Sequence, residues 1–439
     1  MMSALPKASL GESVRILATG VMPAIVRGLF SPRKRAMKLL TALDADRRAV
    51  DALSGIRRGR DGQGVRILGG RMAVLWGADA IREVLDQSAD LYASDSGAKG
   101  KGMCHFQPDA LTLSRGEEWR DRRAFNEFVL AGHERVHPFG DRFLAVVADE
   151  VERLPRDGEL DWDAFEGLFD HLTLRVIFGD RAREDTQLTA RLEKLMGQAN
   201  RIVAVGDSGD LPAFQGDLER YLRDPEPGSL LSRFADAPQS DRTRVVHQIP
   251  HWMFAMRDTL GANTYRALAA IVSNPAIERR ARSDDRYLEG CLEEAMRLWP
   301  TTPLLARETT RDAELCGERL DEGTQVLILN AFNHRDTDQL PDADRFRPER
   351  WAHGPDDYRF NHLSHGTQDC PGAPMVRLLG KAVIARLLEH CELTLRSPEL
   401  DAGEPVPHML DFFSIRFAVS AREPERSLDE AEVQHGHGD

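Results

Sequence analysis

The stretch "PHWMFAMRDTLGANTYRALAAIV", from Pro250 to about Val272, constrains the fold most. Pro250 suits a first helical turn, and "SNP" at 273–275 stops the helix. The segment is apolar nearly all round, so it is expected to cross the interior rather than lie on a surface. A chain with such a helix must pack other helices around it. Helical periods dominate from about 140 to 300, and "YLEGCLEEAMRLWP" forms another helix, ended by Pro300. Strand signals are confined to short runs: "GVRILGGRMAVLWG" (64–77), a hairpin around Gly69-Gly70; "QVLILN" (325–330); and "ELTLRS" and "FFSIRFAVSA" near the end. Helices are predicted at 78–87, 119–129 and 374–391, and a long Gly-rich connection at 94–118.

This pattern predicts a mainly α fold with small β-sheets. It forms one domain over 1–425, with a β-rich lobe from about 60–77 plus the C-terminal strands and a helical body over about 119–391. Residues 426–439 read as a disordered acidic tail. The 439 residues carry a net charge of -13, which argues against general nucleic-acid binding. "ILATGVMPAIVRGLF" is too short and too interrupted to span a bilayer, so no transmembrane anchor is expected, and the segment packs on the body or touches a membrane surface. Five scattered cysteines without a CxxC pair exclude a disulfide framework and a zinc ribbon, and suit a reducing cytoplasm.

One of those cysteines stands in an unusual setting, "LSHGTQDCPGAPMVRLLGK" (363–381). A lone cysteine is ordinarily a small buried hydrophobe. Here Gly366 and Gly372 allow turns and close approach, while Pro371 and Pro374 stiffen the entry to a helix. A sulfur at that point meets free backbone N–H groups and the positive end of a helix, both of which favour thiolate. A buried thiolate calls for a cation, and a metal held by a four-nitrogen macrocycle needs only one such ligand.

The stretch resembles the heme-binding loop of the cytochromes P450, Phe-x-x-Gly-x-Arg-x-Cys-x-Gly. Gly366, Cys370 and Gly372 fall in register, while Leu363 replaces the usual phenylalanine and Gln368 the usual propionate-binding arginine. Three further motifs agree in order. Glu294-x-x-Arg297 followed by "FRPERW" matches the family's buried network of Glu294, Arg297 and Arg350, a structural role. Trp119-x-x-x-Arg123, Arg307 in "PLLARETT" and His334 in "NHRD" match positions that contact heme propionates. Asp258-Thr259 matches the acid–alcohol pair of the central helix, with Met256 where glycine is usual after Ala255.

The resemblance implies the P450 fold and a heme-thiolate monooxygenase. Cys370 would ligate iron; Trp119, Arg123, Arg307, His334, Leu363, Gln368 and Gly372 would hold heme b; Thr259 would hydrogen-bond the oxygen and Asp258 would relay protons. Phe106, Leu111, His251, Phe254, Ala255, Pro303, Leu304 and Leu305 are the expected substrate pocket, part of the 96–112 connection acting as a mobile lid. Arg257 is expected to point away into an ion pair. O2 is the co-substrate. Electrons come from NAD(P)H through ferredoxin reductase and a ferredoxin that docks on Arg120, Arg122, Arg377 and Lys381. The expected protein is a cytoplasmic monomer of specialised metabolism acting on a small to medium organic molecule. A peroxygenase-like or rearranging P450 without electron transfer, and a non-catalytic recruitment module, are the alternatives.

Overall fold

The computed structural model describes residues 5–60, 62–95, 97–200, 209–353 and 357–422; the predicted acidic tail lies outside them. The segment 250–272 is the predicted interior helix, with one departure. It runs as α-helix over Ile249–Phe254, widens to a π-turn over Ala255–Leu260 and resumes as α-helix over Gly261–Val272. Ala262 to Ile271 are buried without a break, as an all-round apolar helix requires. The π-turn falls on "AMRDTL", the acid–alcohol segment; such insertions concentrate at functional sites.

Around this helix pack Trp162–Phe178, Asp285–Leu298 and Ala373–His390, which together with Tyr265, Phe165 and Phe417 build the main apolar core. The last helix crosses the central one at Gly380. A Cβ there would lie 2.7 Å from Leu292 Cδ2, 3.0 Å from Leu260 Cδ1 and 3.2 Å from Thr264 Oγ1, so any larger residue would have to push these side chains aside.

A five-stranded sheet sits to one side, in the order Gly64–Ile67, Met72–Leu75, Gln325–Ile328, Leu305–Thr309, Tyr92–Ala93. The first pair is the predicted hairpin; Met72–Leu75 then runs parallel to Gln325–Ile328, with Val74 opposite Leu327. The C-terminal strands do not join this lobe. In a separate sheet Arg416–Ala421 is the middle strand, pairing with Cys391–Ser397 on one side and Gly158–Leu160 on the other. The inward alternation of Phe417 and Val419 faces the main core, and that burial fixes their location.

The 94–118 connection is more ordered than its glycines suggest. It contains a helix, Gly97–Met103, and a 3-10 turn, Leu111–Leu113. Gly is a poor helix former, and packing supplies what propensity withholds. A Cβ on Gly102 would fall 2.2 Å from the Phe30 ring, and Phe106 stands edge-on to Phe30 and to Phe254, with ring centroids 6.0 and 6.3 Å apart. The N-terminal helices lie on the body through Ile16 and Ala24, while Leu10, Val14 and Met22 face outward. Among the described residues no helix is long and apolar enough to cross a membrane.

Candidate active site

The cysteine loop is built by local hydrogen bonds. Cys370 N–H donates to the Leu363 carbonyl at 2.9 Å, and Ala373 N–H to the Cys370 carbonyl at 3.1 Å. Gly366 turns the chain at φ +69°, and a Cβ there would sit 2.4 Å from the Leu85 carbonyl oxygen, so glycine is required twice over. The loop is thereby held against the helix Ala78–Asp86, and Thr367 Oγ1 adds a hydrogen bond to the Ser88 carbonyl at 2.8 Å.

Lys99, His251, Asp258 and Cys370 all lie deep enough for burial to dominate their titration, yet each keeps part of its surface open. A group that is deep yet partly open borders internal space; for His251 and Asp258, seven residues apart on one helix, that space is a chamber beside the central helix. Burial pushes the Asp258 carboxyl up to about 7 and the His251 imidazole down to about 4. Asp258 Oδ1 meets Arg257 at 3.2 Å, whereas Asp258 Oδ2 and His251 Nδ1 are buried without a partner. Thr259 follows Asp258 within the π-turn and is also half-buried. Arg257 does leave the chamber stripe: it is buried among Asp258, Asp170, Glu166 and Glu193. Burial opposes its charge, but the four carboxylates keep its pKa above the ordinary value.

Around Cys370 the donor set fits a heme. Burial pushes the thiol upward, partly offset by the Gly372 N–H, so the thiolate needs a bound cation to prevail. A Cβ on Gly372 would make only ordinary contact with the sulfur, at 3.9 Å. Among the described residues no group of three or more His, Cys, Asp or Glu converges to hold an ion, so iron at Cys370 must bring its other ligands with it. Among the described residues, Arg307 is buried with hydrogen bonds only to Ser88 Oγ and the Ala306 carbonyl, and burial brings it down to about 10. It lacks the carboxylate that a propionate would supply. Gln368 is an amide whose Oε1 is buried and unpartnered.

Arg123 and His334 differ from expectation. Arg123 is already neutralised: it binds Glu127, the Asp369 carboxylate and, at 2.7 Å, the Asp369 carbonyl. It braces the cysteine loop, and Arg307 carries the free charge instead. Asp369, adjacent to Cys370, gave no sign of this in sequence. His334 is a correction. Its Nδ1 lies 2.8 Å from the Arg297 carbonyl and its Nε2 accepts from Asn361 N–H at 2.9 Å, so neither nitrogen is left for a propionate. Trp119 is half-buried on the same helix as Arg123, and Leu363 packs on the main core.

Among the pocket candidates, His251, Phe254 and Ala255 share the chamber side of the central helix as half-buried residues. Phe106 touches Phe254, and Leu111 is pinned by its N–H to Gln248 Oε1 at 2.9 Å. The 303–305 run turns the other way in part. Pro303 lines a crevice with Gly20, Ala24 and Phe332, and Leu304 packs with the cluster of Ile16, Val65 and Phe332. Leu305 packs with the Tyr92 cluster.

The buried network is more extensive than three residues. Glu294 and Arg297 are fully buried and bidentate, at 2.7 and 2.9 Å. Arg297 also donates to the Ala343 carbonyl at 2.9 Å, and Glu294 accepts from Trp351 Nε1 at 2.8 Å and Arg347 N–H at 3.0 Å. Arg350 is the outer member, 3.5 Å from Glu294. Burial works against the Glu294 charge, but Arg297 outweighs it and holds the carboxyl below its ordinary range. Of the proposed docking cations, Arg122 is buried against Ser114, Arg377 binds Glu293 and Lys381 binds Asp285. Arg120 alone is exposed and carries no ion pair among the described residues.

A family model for cytochrome P450 matches residues 242–408, which contain the central helix, the Glu294 network and the cysteine loop. Human cytochrome P450 4V2 is 29% identical over 169 residues, 33% of this chain and 32% of that protein. Tabersonine 6,7-epoxidase isoform 2 of Catharanthus roseus is 26% identical over 185 residues, 37% of this chain and 35% of that protein. (+)-Menthofuran synthase of Mentha piperita is 24% identical over 401 residues, covering 74% of this chain and 79% of that protein. The match to the 4V2 proteins spans about a third of their length. With the mainly helical fold, these matches show that the chain is similar to the cytochromes P450, the family model covering residues 242–408.

Proposed function

We propose that the chain is a heme-thiolate monooxygenase that inserts one atom of O2 into an organic substrate. The balance is R–H + O2 + 2 e⁻ + 2 H⁺ → R–OH + H2O. The observation that carries this reading is the pairing of one half-buried cysteine, whose titration burial dominates, with an acid–alcohol π-turn on the central helix.

Cys370 would hold the iron, and Arg307, Gln368 and Trp119 would hold the propionate edge. Bound heme supplies the oxidising chemistry, and a thiolate ligand favours O–O cleavage; the handling of protons and water falls to the protein. Asp258, poised near neutral pH, can give up a proton at Oδ2 and regain one from water, while Arg257, itself held by Asp170, Glu166 and Glu193, fixes Oδ1. Thr259 offers a hydroxyl one residue on. Phe106, Phe254 and Leu111 keep the chamber dry. The two electrons would come from a separate redox protein, for which a ferredoxin fed from NAD(P)H is the candidate. Arg120 is then the one untied cation of the four proposed for its dock. The epoxidase and synthase among the relatives make oxidation of specialised metabolites the substrate field to search first.

The test is spectroscopic. The reduced, carbon-monoxide-treated protein should give the red-shifted Soret band of thiolate ligation, and Cys370→Ser should abolish that shift. An unshifted band in the native chain overturns the proposal. Turnover driven equally well by peroxide alone would transfer the reading to a peroxygenase.

A further inference from the structure

We propose that Asp369 and Glu127 hold Arg123 away from the cofactor, so that heme is kept by one free cation, Arg307, and exchanges readily. This rests on the heme reading given above.

Two arginines are tied to the cysteine loop from different elements. Arg307, on the strand Leu305–Thr309, donates from Nε to Ser88 Oγ at 2.9 Å, and the Ser88 carbonyl accepts from Thr367 Oγ1 in the loop at 2.8 Å. Arg123, on the helix Gly116–Leu130, reaches the loop at Asp369, the residue before Cys370. The two are similarly deep, 4% and 9% exposed, but their charges are used differently. Arg307 meets no carboxylate among the described residues. Every guanidinium nitrogen of Arg123 is engaged: Nε donates to Glu127 Oε1, Nη1 to the Asp369 carbonyl at 2.7 Å, and Nη2 to the Asp369 carboxylate. One guanidinium against two carboxylates leaves that cluster with an excess of negative charge.

A porphyrin brought to Cys370 carries two propionates, and a carboxylate taken out of water without a cation is costly. Arg307 can take one. For the other, Arg123 has no donor left, and a propionate must evict a carboxylate of equal charge to gain it. That exchange is close to neutral, and Asp369, fixed in the loop, has the advantage of effective concentration. Gln368, its neighbour in the loop, offers hydrogen bonds but no charge. The second propionate is therefore held weakly.

The experiment loads the full chain with hemin and follows heme transfer to excess apomyoglobin by absorbance. Arg307→Gln should speed heme loss about tenfold or more, the scale of one charge-assisted hydrogen bond. Asp369→Asn should do the opposite and slow the loss about tenfold, since a neutral amide competes less well for Arg123. The Asp369 side chain is half exposed, so neutralising it strands no buried charge. Glu127→Gln should act in the same direction, and it decides the matter if the Asp369 variant does not fold. Adding Arg123→Gln to Asp369→Asn should cancel the gain, because Arg123 carries it. A brace that was merely structural would predict faster loss in all of these variants. Heme loss that neither carboxylate variant slows overturns the proposal, as does a slowing that survives the removal of Arg123. A native chain that takes up no heme defeats the heme reading and this inference with it. Heme bound without the red-shifted Soret band removes the oxidation chemistry and leaves the exchange result standing, so the two readings fail separately.

Discussion

The Glu294–Arg297 network and the chamber beside the central helix both bury charge, and they treat it in opposite ways. In the network every polar atom of the pair is engaged: Arg297 binds Glu294 and backbone carbonyls, and Glu294 receives Trp351 and the Arg347 N–H. In the chamber, among the described residues, Asp258 Oδ2, His251 Nδ1 and Gln368 Oε1 have no partner, and Arg307 has no carboxylate. Low dielectric makes both arrangements expensive to disturb. Satisfied charge fixes the fold. Unsatisfied charge waits for something that the chain itself does not contain.

Three substitutions sharpen that contrast. The largest effect is expected from Glu294→Ala, which strands Arg297 in the interior. Loss of one partner of a buried pair costs about 3–5 kcal/mol, measurable by urea denaturation. A loss below about 1 kcal/mol would mean the network is not structural.

Asp258→Asn should do the reverse and stabilise the ligand-free protein at alkaline pH. The folded carboxyl titrates near 7 against an ordinary 3.8. Between about pH 4 and 7 the native state holds more protons than the unfolded one, so stability falls as pH rises through that window. Removing the titrating group should flatten the fall, for a gain of about 2 kcal/mol at pH 8 relative to pH 5. Paired urea titrations at the two pH values give the number, and an unchanged slope breaks the contrast. The same variant should yield less product per electron consumed.

The smallest effect belongs to Arg350→Ala. At 3.5 Å and partly exposed, Arg350 should cost under about 1 kcal/mol in the same denaturation assay. A cost matching that of Glu294 would make it a full member of the buried set.

What the sequence disclosed follows from where the physics is local. The hairpin at Gly69-Gly70, the interior helix ended by "SNP" and the helix after Cys370 are written in short-range signals, and each forms within a few residues of its expected bounds. The Glu294–Arg297 pair is local for the same reason, since i and i+3 share a helix face. Trp351 and Asp369 were missed because their partners, Glu294 and Arg123, lie 57 and 246 residues away. The helix Gly97–Met103 was missed because glycine argues against it, and it is imposed by Phe30 and Phe106 from outside. His334 illustrates the converse. A motif position drew attention to it, but its ring bonds to Arg297 and Asn361 and serves the backbone.

The Phe30 ring has a practical consequence. It belongs to the apolar opening segment that a protein engineer would be tempted to delete for solubility, yet it is a tile in the chamber wall, abutting Gly102 and Phe106 and tied at its N–H to Asn200 Oδ1 at 3.1 Å. A version shortened past that residue would surrender the seat of the Gly97–Met103 helix and admit solvent to the cavity. Phe30 is masonry, and trimming should stop well upstream of it.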